Sequence, residues 1–131
     1  MQTSDSTGTR QVPDVAGPAD PDSGFFVVGS DDSGQLANFQ VGGTSAAAPF
    51  WAASTLLMEQ FGAKDGAPAF GAVGPALYAV AATAQPFPPF HDVTLGGNRL
   101  YPCTAGWDAA TGWGSPDVFA LARDLVARAK G

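Results

Sequence analysis

The length, composition and charge of the chain limit the functions it can have. With 131 residues, 45% of them hydrophobic, it is able to bury a core and is not a disordered chain. Twelve acidic residues against six basic ones give a net charge of −6, and the few Lys and Arg residues form no cluster that could neutralise phosphates, so we expect no nucleic-acid partner. There is no run of 18 apolar residues and no signal-peptide pattern near Met1, so we expect no membrane interaction.

The first half of the chain is predicted to contain a hairpin and a long helix. Residues 1–9 are rich in Ser and Thr and are predicted to form a flexible tail. A loop rich in Pro, Asp and Gly follows as far as residue 24. The predicted elements after it are, in order, a strand, a turn with solvated aspartates, the partner strand and a helix, over residues 25–28, 31–34, 36–41 and 45–61.

The second half is predicted to contain two further helices separated by loops. Residues 75–82 favour a short helix with Pro75 at its first position, and the prolines in residues 85–90 require extended chain. Glycine-rich loops follow, and residues 117–130 have the apolar periodicity of an amphipathic helix. We interpret the single Cys103 as a structural residue, and we find no internal repeat, so residues 10–131 are predicted to belong to one domain.

A candidate nucleophile, Ser45, lies between a glycine pair and the start of the long predicted helix. Gly42 and Gly43 allow a close backbone approach. The helix N-terminus offers unpaired N–H groups and a positive dipole end, both of which favour a developing oxyanion. The alternative is that Thr44 or Ser45 does no more than cap a buried helix, because Ser and Thr are common N-caps.

The surrounding motifs resemble those of a known peptidase family. Residues 43–49, Gly-Thr-Ser-Ala-Ala-Ala-Pro, resemble the nucleophile motif shared by subtilisin-like peptidases and sedolisins. Residues 90–94 and 106–116 resemble the C-terminal calcium-binding region of sedolisins alone, and residues 10–16 resemble their Pro-Asp-Val segment. The resemblance implies the C-terminal portion of a sedolisin catalytic domain. It further implies an α/β, subtilisin-like fold with a mainly parallel sheet flanked by helices, a secreted protein, and activity in acid.

The same resemblance implies one structural Ca²⁺ ion. Its ligands would be the side chains of Asp92 and Asp108 and the backbone carbonyls of Val93, Thr104 and Gly106. Mixed oxygen ligands of this kind suit a hard cation. The family often has Gly at the position of Thr104, a difference that concerns the geometry of the loop. The alternative interpretation is that both aspartates only cap turns.

The residues that would activate Ser45 are not found in the sequence. Sedolisins use a Glu supported by an Asp, with a further Asp at the oxyanion site, and all three precede the serine. Here the single Glu, Glu59, follows Ser45 by fourteen residues on the same predicted helix, which corresponds to ~21 Å at 1.5 Å per residue. His91 is interpreted as a loop or packing residue. We therefore expect the chain alone to be inactive, and to require the N-terminal portion of the catalytic domain as partner and a peptide or protein as substrate.

Two other interpretations are compatible with these residues. One is a subtilisin-like peptidase segment with a Ser-His-Asp triad, which would require a His motif upstream of Ser45 and leaves the calcium segment without explanation. The other is a non-catalytic binding or structural module, stabilised by calcium, in which Ser45 is a relic.

Overall fold

The computed structural model describes residues 8–131, and they form two compact units. One unit is formed by residues 17–53, and the other by residues 8–16 together with residues 54–131. The predicted flexible tail, residues 1–9, lies outside the described residues except for Gly8 and Thr9. No helix among the described residues has the length and apolar character that crossing a membrane would require.

The unit of residues 17–53 contains the predicted hairpin. Strands β1 (Phe25–Ser30) and β2 (Leu36–Val41) are antiparallel, with Phe25 opposite Val41 and Ser30 opposite Leu36. The turn between them depends on Asp31, whose carboxylate accepts hydrogen bonds from the N–H groups of Ser33 and Gln35 at 2.9 and 3.0 Å. The hairpin prediction is confirmed, with β1 two residues longer than expected.

This unit has no fully buried residue of its own. Apolar side chains of the hairpin are open to solvent, among them Phe26 at 76% and Leu36 at 81% exposure. Burial of such side chains normally contributes most of the free energy of folding. The hairpin therefore has an apolar surface that remains available for a partner.

Helix α1 (Thr44–Lys64) includes residues of both units. It begins one residue earlier and ends three residues later than the predicted range of 45–61. Pro49 lies inside the helix, two positions after the first turn, where it has no N–H to bond the carbonyl four residues before it.

The core of the larger unit lies around helices α2 (Val73–Ala81) and α3 (Val118–Lys130), which pack against each other. Leu121 is completely buried, and Asp117 caps α3 by accepting a 2.8 Å hydrogen bond from the N–H of Ala120. Gly62 of α1 leaves no spare room beside Val126. The buried hydrophobic side chains are Met58, Leu77, Val80, Trp107, Ala120, Leu121, Ala122, Leu125 and Val126.

A second small sheet, which the sequence did not predict, joins the extended segment after α2 to the segment before α3. Strands β3 (Phe90–His91) and β4 (Ser115–Pro116) are antiparallel, with His91 opposite Ser115. Among residues 8–131 both sheets are two-stranded and antiparallel. The predicted mainly parallel sheet is not found in this part of the chain.

Candidate functional site

Ser45 lies in the first turn of α1 with its side chain exposed. Gly43 has a φ of +91°, a conformation that favours glycine, and its carbonyl accepts the N–H groups of Ala46 and Ala47 at 2.9 and 3.2 Å. The helix therefore starts directly before the serine. Because Pro49 has no N–H, the helical hydrogen bond to the carbonyl of Ser45 is not formed. Pro49 thus leaves the carbonyl of Ser45 without its helical donor. The serine itself lies in the first turn, at the positive end of the helix dipole.

An open apolar groove of about 460 Å³ lies beside Ser45. Both strands of the hairpin and the first two turns of α1 contribute to it. Its lining residues are Phe25, Phe26, Val27, Val41, Ser45, Ala46, Pro49 and Phe50. The serine is therefore at the edge of an apolar surface, where exclusion of water by a covering group would strengthen electrostatic interactions.

No general base for Ser45 is found among the described residues. Among residues 8–131 no group hydrogen-bonds its hydroxyl. Glu59 has a structural contact instead, since its carboxylate accepts the N–H of Phe70 at 3.2 Å. His91 belongs to β3, where it is exposed and opposite Ser115. Neither residue has a contact that would activate the serine.

Asp108 organises the loop predicted to bind calcium, residues 104–114, called the metal loop below. Its side chain is buried, and its two oxygens accept the N–H groups of Thr104, Ala110 and Thr111 at 2.8 to 3.0 Å. The hydroxyl of Thr111 donates to it as well, at 3.2 Å. Burial alone would raise the pKa of this carboxyl, but the surrounding N–H groups together hold it below its ordinary value. Asp108 is therefore a carboxylate at neutral pH.

Asp92 approaches the same loop from the segment after β3. Its carboxylate accepts the N–H of Gly106 at 2.8 Å and is otherwise exposed. A cavity of about 180 Å³, lined in part by Asp92, Gly106 and Trp113, lies there. The indole N–H of Trp113 is buried without a hydrogen-bond partner among the described residues. This cavity is therefore large enough for water, and Asp92 contributes a polar group to a lining that is mostly apolar.

The chemistry of these groups fits a hard cation. The hydrogen bonds of Asp92 to Gly106 and of Asp108 to Thr104 bring both carboxylates to one short stretch of loop. Each carboxylate has about four lone-pair sites. The single N–H donor leaves Asp92 free capacity, whereas three N–H groups and the Thr111 hydroxyl occupy most of that of Asp108. No cluster of three or more His, Cys, Asp or Glu side chains suited to a metal occurs within residues 8–131. The expected ligand set differs from such a cluster, because it has only two acidic side chains and is completed by the carbonyls of Val93, Thr104 and Gly106.

The sequence placed Thr111 within the calcium-binding region but did not predict its bonds to Asp108. Its N–H and its hydroxyl both bind Asp108, three residues earlier. The signal was present, because an aspartate followed three residues later by Thr is a common turn pattern. The turn-capping role of Asp108, which was the alternative to metal binding, is thus present in the structure, and it is compatible with both interpretations.

Comparisons with known proteins show the class to which this chain is related. No protein-family model matches the sequence. Kumamolisin from a Bacillus species is 40% identical over 89% of this chain, and tripeptidyl-peptidase SED2 of Arthroderma otae is 30% identical over 88%. Among solved structures, Pseudomonas sedolisin, a serine-carboxyl proteinase complexed with two molecules of pseudo-iodotyrostatin, matches 96% of this chain with a TM-score of 0.76 and 28% identity. The relatives are serine-type peptidases, and the structural match has a subtilisin-like fold.

More narrowly, the chain belongs to the sedolisin family over the part that these relatives match. It spans 20% of the length of the curated relatives and 32% of the matched structure. The family prediction from the motifs around Ser45 and the metal loop is confirmed.

Proposed function

We propose that this chain is the C-terminal segment of an acid-acting serine-carboxyl endopeptidase, and that it supplies the nucleophile Ser45 and one structural Ca²⁺ site. The observation that carries the proposal is the position of Ser45, exposed in the first turn of α1 within the family motif. The Glu and Asp that form the base, and the oxyanion Asp, are contributed by the preceding part of the protein. The protein is secreted, as the resemblance implies.

The proposed reaction is acyl transfer. The Oγ of Ser45 attacks the carbonyl carbon of the scissile peptide bond while its proton passes to the Glu carboxylate of the preceding part. The tetrahedral oxyanion collapses, the C–N bond breaks, and the proton goes to the leaving amine. Water then cleaves the acyl-enzyme by the same steps. A carboxylate base remains ionised in acid, where an imidazole would be protonated, so this machinery suits a low pH.

The exposed apolar surface supports the need for the preceding part. Besides the hairpin, Leu56 and Leu57 of α1 are 67% and 60% exposed, and Phe119 of α3 is 70% exposed. Surfaces of this kind in a small unit are normally covered by a partner. We propose that the preceding part covers them and contributes the strands of the mainly parallel sheet.

We expect the 131-residue chain alone to hydrolyse no peptide at acidic pH, and to regain hydrolysis when it is joined to the preceding portion. The reason is that no group among the described residues activates Ser45. The measurement is turnover of a denatured protein substrate, with labelling by a serine-directed fluorophosphonate as a second readout. Acid turnover by the isolated chain that Ser45→Ala abolishes would contradict the proposal. The same labelling tests the non-catalytic interpretation, because a relic serine in such a module stays unlabelled in the complete protein.

The Ca²⁺ ion would be held by Asp92, Asp108 and the carbonyls of Val93, Thr104 and Gly106. When bound, it supplies positive charge that balances the two carboxylates and so stabilises the metal loop. Adding calcium should therefore raise the unfolding free energy of the complete protein, by about 2.7 kcal/mol when free calcium is in hundredfold excess over Kd. The melting temperature should rise accordingly. Differential scanning calorimetry of metal-free and calcium-loaded samples measures the shift.

The matched variants for this prediction are changes at two exposed aspartates. Asp92→Asn should remove most of the calcium shift, because Asp92 is exposed and makes one hydrogen bond to the metal loop. Asp31→Asn should leave the shift unchanged, because Asp31 caps the hairpin turn in the other unit. An equal calcium shift in both variants, or none in the wild type, would contradict the metal site.

A further inference from the structure

Residues 10–16, called the strap below, lie along the metal loop. The indole N–H of Trp107 donates to the carbonyl of Pro13 at 3.0 Å, and the backbone N–H of Trp113 donates to the carbonyl of Asp14 at 2.9 Å. The backbone N–H of Ala16 donates to the carbonyl of Gly114, also at 2.9 Å. These three bonds lie on both sides of Asp108. The strap therefore holds the metal loop from Trp107 to Gly114.

The contact between strap and loop is tight at Gly112. Its backbone exchanges two hydrogen bonds with Asp108, at 2.9 and 3.2 Å. A Cβ atom at Gly112 would overlap the backbone of Asp14. The main chain of Asp108 is thus bonded to Gly112, which lies directly against the strap. A shift of the strap would therefore move the backbone that carries the carboxylate of Asp108.

The strap is itself fixed through the side chain of Asp14. Arg10 donates to both carboxylate oxygens, at 2.9 and 2.6 Å, and the hydroxyl of Tyr78 on α2 donates to one of them at 2.7 Å. The hydrogen bonds from Arg10 lower the pKa of Asp14 more than its partial burial raises it, and Tyr78 lowers it further. The ring of Tyr78 also contacts the edge of Trp113, with centroids 6.1 Å apart. One residue of the strap and one of α2 thus converge on Asp14.

We propose that Arg10 and Tyr78 are positioning residues for the calcium site, acting through Asp14 and the strap on the metal loop. The inference rests on the calcium site of the proposed function. Neither residue supplies a ligand. Their effect is to keep the loop in its binding shape before the ion arrives, because a loop that is only partly in that shape has a correspondingly weaker apparent affinity.

The test is calcium affinity, measured by isothermal titration calorimetry on the complete protein that carries this segment. Arg10→Ala should raise the Kd for Ca²⁺ about tenfold, the usual effect of losing an outer-shell partner of a metal site. Tyr78→Phe removes one hydroxyl from Asp14 and should raise the Kd by less than Arg10→Ala does. Arg10→Lys keeps the charge and should restore part of the affinity.

Control variants separate positioning from a general loss of stability. Tyr101→Phe makes the same change at an exposed tyrosine and should leave the Kd unchanged, as should Arg128→Ala on the exposed end of α3. A merely structural role of Arg10 and Tyr78 would lower the melting temperature of the metal-free protein and leave the Kd of the folded protein unaltered. Wild-type affinity in both Arg10→Ala and Tyr78→Phe would overturn the inference alone. Absence of calcium binding by the wild type would overturn the calcium site and this inference together, while labelling of Ser45 would still report on the nucleophile.

Discussion

Replacing Ser45 by alanine in the complete protein should lower kcat for peptide hydrolysis by roughly 10⁶-fold, the loss found when a serine peptidase loses its nucleophile. The substrate should still bind, because the substitution removes one exposed hydroxyl and leaves the neighbouring side chains in place. The variant should also lose covalent labelling by a fluorophosphonate. Steady-state kinetics at acidic pH and mass spectrometry of the labelled protein measure the two effects.

The neighbouring hydroxyl provides the control for this prediction. Thr44 is also exposed and precedes Ser45 directly, in the first turn of α1. Thr44→Ala should therefore keep the label and most of the activity, since the labelled oxygen belongs to Ser45. Labelling at Thr44, or undiminished hydrolysis by Ser45→Ala, would show that the nucleophile has been assigned to the wrong residue.

The sequence predicted those elements whose signals are local. Helix α3 begins where Asp117 provides a cap, and α1 follows the glycine pair as expected. The hairpin has the predicted partner strands because a turn residue, Asp31, lies between two short apolar runs. Each of these features depends on neighbours within a few residues along the chain, and so each can be recognised without knowledge of the fold.

The features that were not predicted depend on residues far apart in the sequence. Strands β3 and β4 are two residues long, and Pro116 in β4 is a poor strand former, so their pairing follows only from the surrounding fold. The hydrogen bond from Trp107 to Pro13 joins residues 94 positions apart. No periodicity encodes such a contact. The mainly parallel sheet stays a prediction, because it would require strands that are not among residues 8–131.

The candidate site shows the same division. The position of Ser45 at a helix N-terminus followed from its immediate neighbours and is confirmed. The assignment of Asp92 and Asp108 to one site is supported by their bonds to Gly106 and Thr104, but the ion itself stays a prediction. The role of the strap could not be found from sequence alone, since Arg10 and Tyr78 come together at Asp14 only when the chain is folded.

Gly112→Ala should be one of the two most destabilising glycine substitutions in the metal loop. Gly112 has a φ of +61° and is buried, and a Cβ atom there would overlap the backbone of Asp14. The left-handed conformation and the overlap with main chain, which cannot rotate away as a side chain can, together should cost roughly 3 to 5 kcal/mol. Urea titration of the complete protein measures the loss of unfolding free energy. Gly114→Ala should behave similarly, because its φ is +85° and its Cβ would overlap the carbonyl of His91.

Gly96→Ala is the matched control, since it separates backbone strain from crowding. Gly96 also has a positive φ, +94°, but a Cβ atom there would meet nothing within 4 Å. The substitution should therefore cost only about 1 kcal/mol, the strain of placing alanine in the left-handed region. The difference in unfolding free energy between Gly96→Ala and Gly112→Ala therefore reports how closely the strap packs against the metal loop. Equal destabilisation by Gly96→Ala and Gly112→Ala would mean that the strap yields to the added methyl group, and that it does not hold the loop that carries Asp108.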